Sequence, residues 1–217
     1  MSDFNKDKAV ESFLANTLLN RIYHNKFESD NDIFWKRTNL RNDQQKGIDL
    51  KIFSIEKSKT FYVDEKAQLN YINTKLPTCA FEIIYYKNEI LKEGWLFDDN
   101  KITDVYFLIN NIQQNKNGNF TDCIIYSIDR KKLIDLLNQR NINKESLKKI
   151  YEKIKNSLKN NSTTKLKIEN LDFENEGNLQ VSNKLAEGPI NLVLKLDFLE
   201  KNKVVNIFKD LKEYIDL

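Results

Sequence analysis

The stretch GIDLKIFSIEKSKTFYVDEK, residues 47–66, holds two apolar runs around a polar turn. In its first half Ile48, Leu50 and Ile52 alternate with Asp49, Lys51 and Phe53, and a period of two residues is the signature of a strand. Its second half, TFYVDEK (60–66), follows the short turn EKSK, so the two runs are expected to pair as an antiparallel hairpin. Successive strand side chains point to opposite faces, which puts Asp64 and Lys66 on one face and Glu65 on the other. Pairing projects Asp49 onto the Asp64 side. Two carboxylates and an ammonium then converge at one edge of a sheet.

Upstream, Ala9, Val10, Phe13, Leu14, Thr17, Leu18, Arg21 and Ile22 fall largely at helical spacing, predicting an amphipathic helix from Lys8 to about Asn25 with Glu11 in its first turns. Residues 26–46 are polar and basic, with a short strand expected at Ile33–Arg37. Downstream, a short helix is expected within Gln68–Thr74 and strands at Ala80–Tyr86, Val105–Asn110 and Cys123–Ile128. Beyond Asp129 the spacing predicts helices over Lys131–Arg140 and Lys144–Leu158. A linker KNNSTTK (159–165), a polar segment rich in Asn and Glu, a strand at Ile190–Phe198 and a closing helix at Val204–Ile215 complete the chain. This reads as one domain over 1–217, with a core in 1–130 and a C-terminal helical and strand elaboration in 131–217.

Composition narrows the chemistry. The 217 residues carry 35 Lys+Arg against 32 Asp+Glu, and 13 Phe and nine Tyr supply enough apolar surface for a folded core despite the 31% of charged residues. His24 is the single histidine, which removes sites built on two imidazoles. Five glycines leave neither a phosphate-cradling loop nor a GxSxG elbow. Cys79 and Cys123 stand apart in apolar runs without CxxC spacing, as buried reduced thiols do. The N-terminal MSDFNKDKAVESF has no apolar stretch behind positive charge, and no window approaches a membrane span, so a cytoplasmic protein is expected. Carboxylates and lysines remain as reagents.

Asp49 and Asp64 offer the hard oxygens that Mg²⁺ takes, and the ion uses one or two carboxylates while keeping several waters. The Glu65 backbone carbonyl can add a ligand. Such a metal neutralises phosphodiester charge, and Lys66 can orient the attacking water and stabilise the transition state. Asp-x-Lys also occurs at Asp99, Asp129 and Asp210, but only Asp64-Glu65-Lys66 ends an apolar strand opposite a strand bearing an Asp in matching phase. The bland alternative is a set of solvated charges at an exposed strand end.

The order helix with Glu11, strand with Gly-Ile-Asp49, strand with Asp64-Glu-Lys66, then an apolar strand resembles the PD-(D/E)xK nuclease superfamily, which includes many type II restriction endonucleases. The longer run QQKGIDLKI, FYVDEKAQLNYIN, CAFEI, GWL, KITDVYFLI and LAEGPINLVL is similar to a group of bacterial and phage proteins assigned to it. The motif's proline is absent, Gly47-Ile48 standing before Asp49. The resemblance implies an α/β fold with a restriction-endonuclease-like core, a mixed sheet flanked by helices. It also implies a Mg²⁺-dependent deoxyribonuclease, Mn²⁺ being able to substitute, with Asp49 and Asp64 on the metal, Lys66 at the water and Glu11 completing the site. A homodimer is a further implication, because two copies often cut the two strands of a duplex. The alternative is a catalytically inactive nucleic-acid- or protein-binding module of the same fold.

Around this centre, Lys36, Arg37, Arg41 and Lys46 can grip phosphates or form a solvated basic loop. Gln68 can reach a phosphate or base, or sit exposed. Glu82 is either a supporting group near the site or a strand residue facing solvent. Trp95 reads as core, Asp104 as a turn or strand-start residue, and His24 as a helix C-terminal residue without a catalytic role.

Overall fold

The computed structural model describes residues 3–27, 32–87, 90–154, 163–182 and 189–207. It is a mixed α/β protein with two sheets and flanking helices. The chain forms two compact units that interleave in sequence: one takes residues 1–76, 102–128 and 206–217, the other 77–101 and 129–205. The core expected over 1–130 therefore gives up residues 77–101 to the second unit.

The first unit opens with α1 (Asp3–Leu14), a π-helical turn (Ala15–Leu19) and α2 (Asn20–Phe27). Its buried stripe is Leu14, Leu18, Leu19, Tyr23 and Phe27. The step of five from Leu14 to Leu19 would leave an ideal α-helix's face, and the wider π turn between them, closed by the Asn20 N–H on the Ala15 carbonyl, absorbs the extra residue, so that Tyr23 and Phe27 follow Leu19 at steps of four. This corrects the stripe expected from spacing alone, which ran through Thr17, Arg21 and Ile22. Thr17 and Arg21 are exposed and Ile22 only partly buried, while Tyr23 is 0% exposed.

β1 (Ile33–Arg37), α3 (Arg41–Gln45), β2 (Leu50–Ser54) and β3 (Lys59–Ala67) follow. The three strands form an antiparallel meander in which Trp35 faces Ile52 and Leu50 faces Val63. A 3-10 turn (Leu69–Tyr71) stands where a short helix was expected. β6 (Val105–Gln114) runs parallel to β3, with Val63 beside Val105 and Glu65 beside Phe107. Asp104 stands in the bend just before it, within the turn or strand-start expectation: its N–H donates to the Tyr62 carbonyl at 2.8 Å and its carboxylate accepts from the Tyr62 N–H at 2.9 Å. The six-stranded order is β1-β2-β3-β6-β7-β11, with β7 at Phe120–Asp129 and β11 at Val205–Ile207. Alternation sends Ile33, Trp35, Leu50, Ile52, Val63, Phe107 and Ile109 to one face, where they pack with the helical stripe.

The second unit holds an antiparallel sheet, β5-β4-β10-β9-β8, built from β4 (Thr78–Lys87), β5 (Ile90–Glu93), β8 (Thr163–Leu166), β9 (Gly177–Ser182) and β10 (Ile190–Lys195). Gly94 is dictated by close approach, since a Cβ there would lie 2.3 Å from the Glu82 carbonyl oxygen. Helices α4 (Arg130–Gln139), capped by the Asp129 carboxylate, α5 (Lys144–Ile154) and α6 (Leu196–Lys201) complete it. β8 occupies part of the expected linker and β9 the polar segment. The expected strand over 190–198 turns helical at Leu196. Residues 205–207 are a strand instead of helix, and the remainder of that expected helix lies outside the described residues. Among the described residues no helix is long and apolar enough to cross a membrane.

The re-phased helix has a measurable consequence. Tyr23→Ala should cost roughly 3–5 kcal/mol and Ile22→Ala about 1 kcal/mol in urea unfolding. An unbroken α-helix would give the reverse order.

Candidate active site

The loop between α3 and β2 delivers Asp49. Gly47 follows the helix with φ 72°, the left-handed conformation that ends helices, and its carbonyl accepts the Thr103 hydroxyl at 2.7 Å. Asp49 then joins the sheet ladder before β2 begins: its N–H donates to the Val63 carbonyl and its own carbonyl accepts from the Thr38 N–H, both at 2.8 Å. Beneath it, buried Asp43 accepts from the Thr38 hydroxyl and pairs with Lys51, each at 2.7 Å. The Lys51 contact first, then Thr38, holds the Asp43 carboxyl below the usual range.

Asp64 is 5% exposed, and the Lys66 ammonium lies 2.8 Å from it. Glu65 points to the helical face. Its carboxylate accepts from the Tyr23 hydroxyl at 2.6 Å and takes two hydrogen bonds from the Arg37 guanidinium, one of them at 3.2 Å. Side-chain exposures of 18% and 10% for Arg37 and Glu65 make this a mostly buried pair. Burial, then the Glu65 charge, raises the Tyr23 pKa well above its usual value, so the hydroxyl stays a donor. Burial opposes the Arg37 charge, but the Glu65 contacts outweigh it and the pKa rises.

The two faces meet at Asp49. Its carboxylate accepts the Glu65 backbone N–H at 2.8 Å. Its pKa is pushed up to about 7, first by burial and then by the nearby Asp64 charge, against the pull of the Glu65 N–H and of Lys66. Asp49 also lines a cleft of about 390 Å³ on the helical side together with Glu11, Asn16, Arg37 and Glu65. The structure thus brings Asp49, Asp64 and Lys66 together at the ends of β2 and β3, and puts the Glu11 and Glu65 side chains on the cleft side of Asp49.

No family model, curated protein or solved structure matches the chain. Among the described residues, no group of three or more His, Cys, Asp or Glu side chains is arranged to hold a metal ion. Asp49 and Asp64 are two.

Of the basic residues, Lys36, Arg41 and Lys46 are exposed, whereas Arg37 is turned inward onto Glu65 and Asn20. Gln68 is half-buried just beyond β3, and its N–H donates to the Ile109 carbonyl at 3.0 Å. Glu82 and Trp95 belong to the second unit, with Trp95 5.5 Å from the Phe81 ring. His24 is exposed in the last turn of α2. Cys123 is half-buried, and burial pushes its thiol up to about 12. The residue that spacing did not single out is Tyr23, whose inward direction depends on the π turn.

The Asp49 shift fixes a pH dependence. A carboxyl whose folded pKa lies above its unfolded value stabilises the fold fully below about pH 4, and that contribution is lost as pH rises through about 7. In metal-free buffer, stability should fall between about pH 4 and 8 by roughly 1–3 kcal/mol more in the native chain than in Asp49→Asn. Urea titrations across that range read it directly.

Proposed function

We propose that the chain is a Mg²⁺-dependent nuclease that hydrolyses DNA phosphodiester bonds at a centre made of Asp49, Asp64 and Lys66. One observation carries the reading. Two partly desolvated carboxylates, Asp49 and Asp64, sit near enough to repel at the ends of adjacent strands, with the Lys66 ammonium 2.8 Å from Asp64. Repulsion between such carboxylates is what a hard cation relieves, and Mg²⁺ needs only one or two of them.

Asp49 and Asp64 would hold the ion, with the Glu65 carbonyl as a further ligand. Bound there, Mg²⁺ or Mn²⁺ supplies a Lewis acid that neutralises phosphate charge and acidifies water. Lys66, kept in place by Asp64, orients the attacking water and donates to the oxygen on which charge develops. The water oxygen bonds to phosphorus and gives up a proton to solvent while the opposite P–O bond breaks, and the departing sugar oxygen takes up a proton from solvent, leaving a phosphomonoester and a hydroxyl. Glu11 lines the cleft beside Asp49. Exposed Lys36, Arg41 and Lys46 contact backbone phosphates, and Gln68 a phosphate or base. Arg37 acts by holding Glu65 in position.

The mixed sheet, a three-strand meander continued by a parallel strand, suits the restriction-endonuclease-like core of the PD-(D/E)xK superfamily. Paired cutting of duplex DNA would involve two copies, in the cytoplasm. A second reading, a non-catalytic nucleic-acid- or protein-binding module, draws on the ion pairs: Lys66 on Asp64 and Arg37 on Glu65 balance acidic charge without a metal.

The test is cleavage of plasmid, linear and single-stranded DNA with Mg²⁺, Mn²⁺ or EDTA. Cutting should require metal, and Lys66→Ala and Asp49→Asn should each lower it by about 100-fold or more while circular dichroism stays native. A folded wild type that binds DNA with a steep salt dependence and never cuts would establish the second reading.

A further inference from the structure

Two phenylalanines stand in water on a strand face where alternation would normally put polar groups. Phe34 is 58% exposed and Phe53 40%. They are direct cross-strand partners between β1 and β2, with Thr60 of β3 opposite Phe53. The next row in the same phase is Lys36, Lys51 and Tyr62. One step further in that phase lie Asp49 and Asp64, whose backbone pairing continues through the Asp49 N–H to Val63. Rows two residues apart are roughly 7 Å from one another, so the aromatic pair lies about 13 Å along the strands from the carboxylates.

The order of the rows has a chemical sense. Aromatic rings accept the flat face of any base, a neighbouring ammonium accepts a phosphate, and the carboxylates come next. Lys36 is exposed, while the Lys51 ammonium rests on Asp43. Among the described residues β1 is the outermost strand of its sheet, and no further strand extends this face beyond Phe34. Bases inside a duplex are stacked on one another and cannot lie on a protein ring, whereas unpaired bases can.

We infer that the outer face of β1, β2 and β3 is a stacking platform for single-stranded DNA, with the Phe34–Phe53 row under a base and Lys36 in the next row on the adjoining phosphate, feeding the strand toward Asp49 and Asp64. The choice of DNA over RNA and the direction of feeding rest on the nuclease reading. The stacking itself does not.

The experiment measures binding of the full chain in EDTA, where cutting is silent. Fluorescence anisotropy would compare an oligo(dT) of about 20 nucleotides, the matching oligo(U) and a duplex of the same length. Oligo(dT) should bind tightest. Phe34→Ala and Phe53→Ala should each weaken it about tenfold, and Phe34→Tyr should restore it. Lys36→Ala should reduce the salt slope by about 0.7, the value for one phosphate contact on a single strand. In Phe34→Trp, oligo(dT) should quench the added indole fluorescence. The substituted side chains are exposed, and thermal melting would verify that the fold is kept.

Alanine variants that bind oligo(dT) as the native chain does, or a duplex that binds tighter, would overturn the platform. Tighter binding of oligo(U) would overturn the assignment to DNA. A dimer in light scattering that Phe34→Ala dissolves, with no change in oligonucleotide affinity, would reassign the face to self-association. Stacking without any metal-dependent cutting would leave the platform standing and remove the nuclease reading alone.

Discussion

The Glu65 carboxylate is the joint on which the site is assembled. Its side chain receives the Tyr23 hydroxyl from α2 and the Arg37 guanidinium from β1, while its backbone N–H holds the carboxylate of Asp49. A charge taken out of water costs several kcal/mol unless it is paired and hydrogen-bonded, and Glu65 is both. Helix, edge strand, the loop before β2 and central strand are thereby tied to one residue. Each tie is directional, so Asp49 is coupled through Glu65 to Tyr23, which lies 42 residues before Glu65 in the chain.

The joint separates two environments. On the helical side Leu14, Leu18, Tyr23 and Phe27 close over Leu50, Val63 and Phe107, and the cleft opens beside them. On the other side Asp64 and Lys66 share a face with Lys51, Tyr62 and Phe53. Asp49 lies at the strand end where both are reachable, which is why its carboxylate senses Asp64 while bonding to the Glu65 amide. A raised Asp49 pKa means the fold is weakened there at neutral pH, and strongly shifted groups of this kind gather at functional sites. The stabilising Arg37–Glu65 pair lies next to the destabilising one.

Much of the first unit is legible in the sequence because its signals are local. The period of two in 47–66, the polar turn and the phase of Asp64 against Lys66 are consequences of how side chains alternate along an extended backbone. Strands β1, β2 and β3 accordingly lie where the residues predict them. The short strands Thr163–Leu166 and Gly177–Ser182 are not legible: their Thr, Lys, Asn and Gln read as linker, and only pairing in series with β10 makes them strands. Val205–Ile207 likewise takes its conformation from its sheet, against a helical spacing.

The amino-acid sequence alone determined which residues alternate, which chemistries are absent for want of His, Cys and Gly, and that Asp49, Asp64 and Lys66 share a phase. Tertiary structure decided the partners. It sent Ala80–Tyr86 to a second sheet, turned Arg37 from solvent onto Glu65, and used a π turn to aim Tyr23 instead of Ile22 at that carboxylate. The physical reason is range. Side-chain phase is set by covalent geometry within a few residues, whereas strand partners and buried ion pairs are chosen by what the rest of the chain brings within a few ångströms.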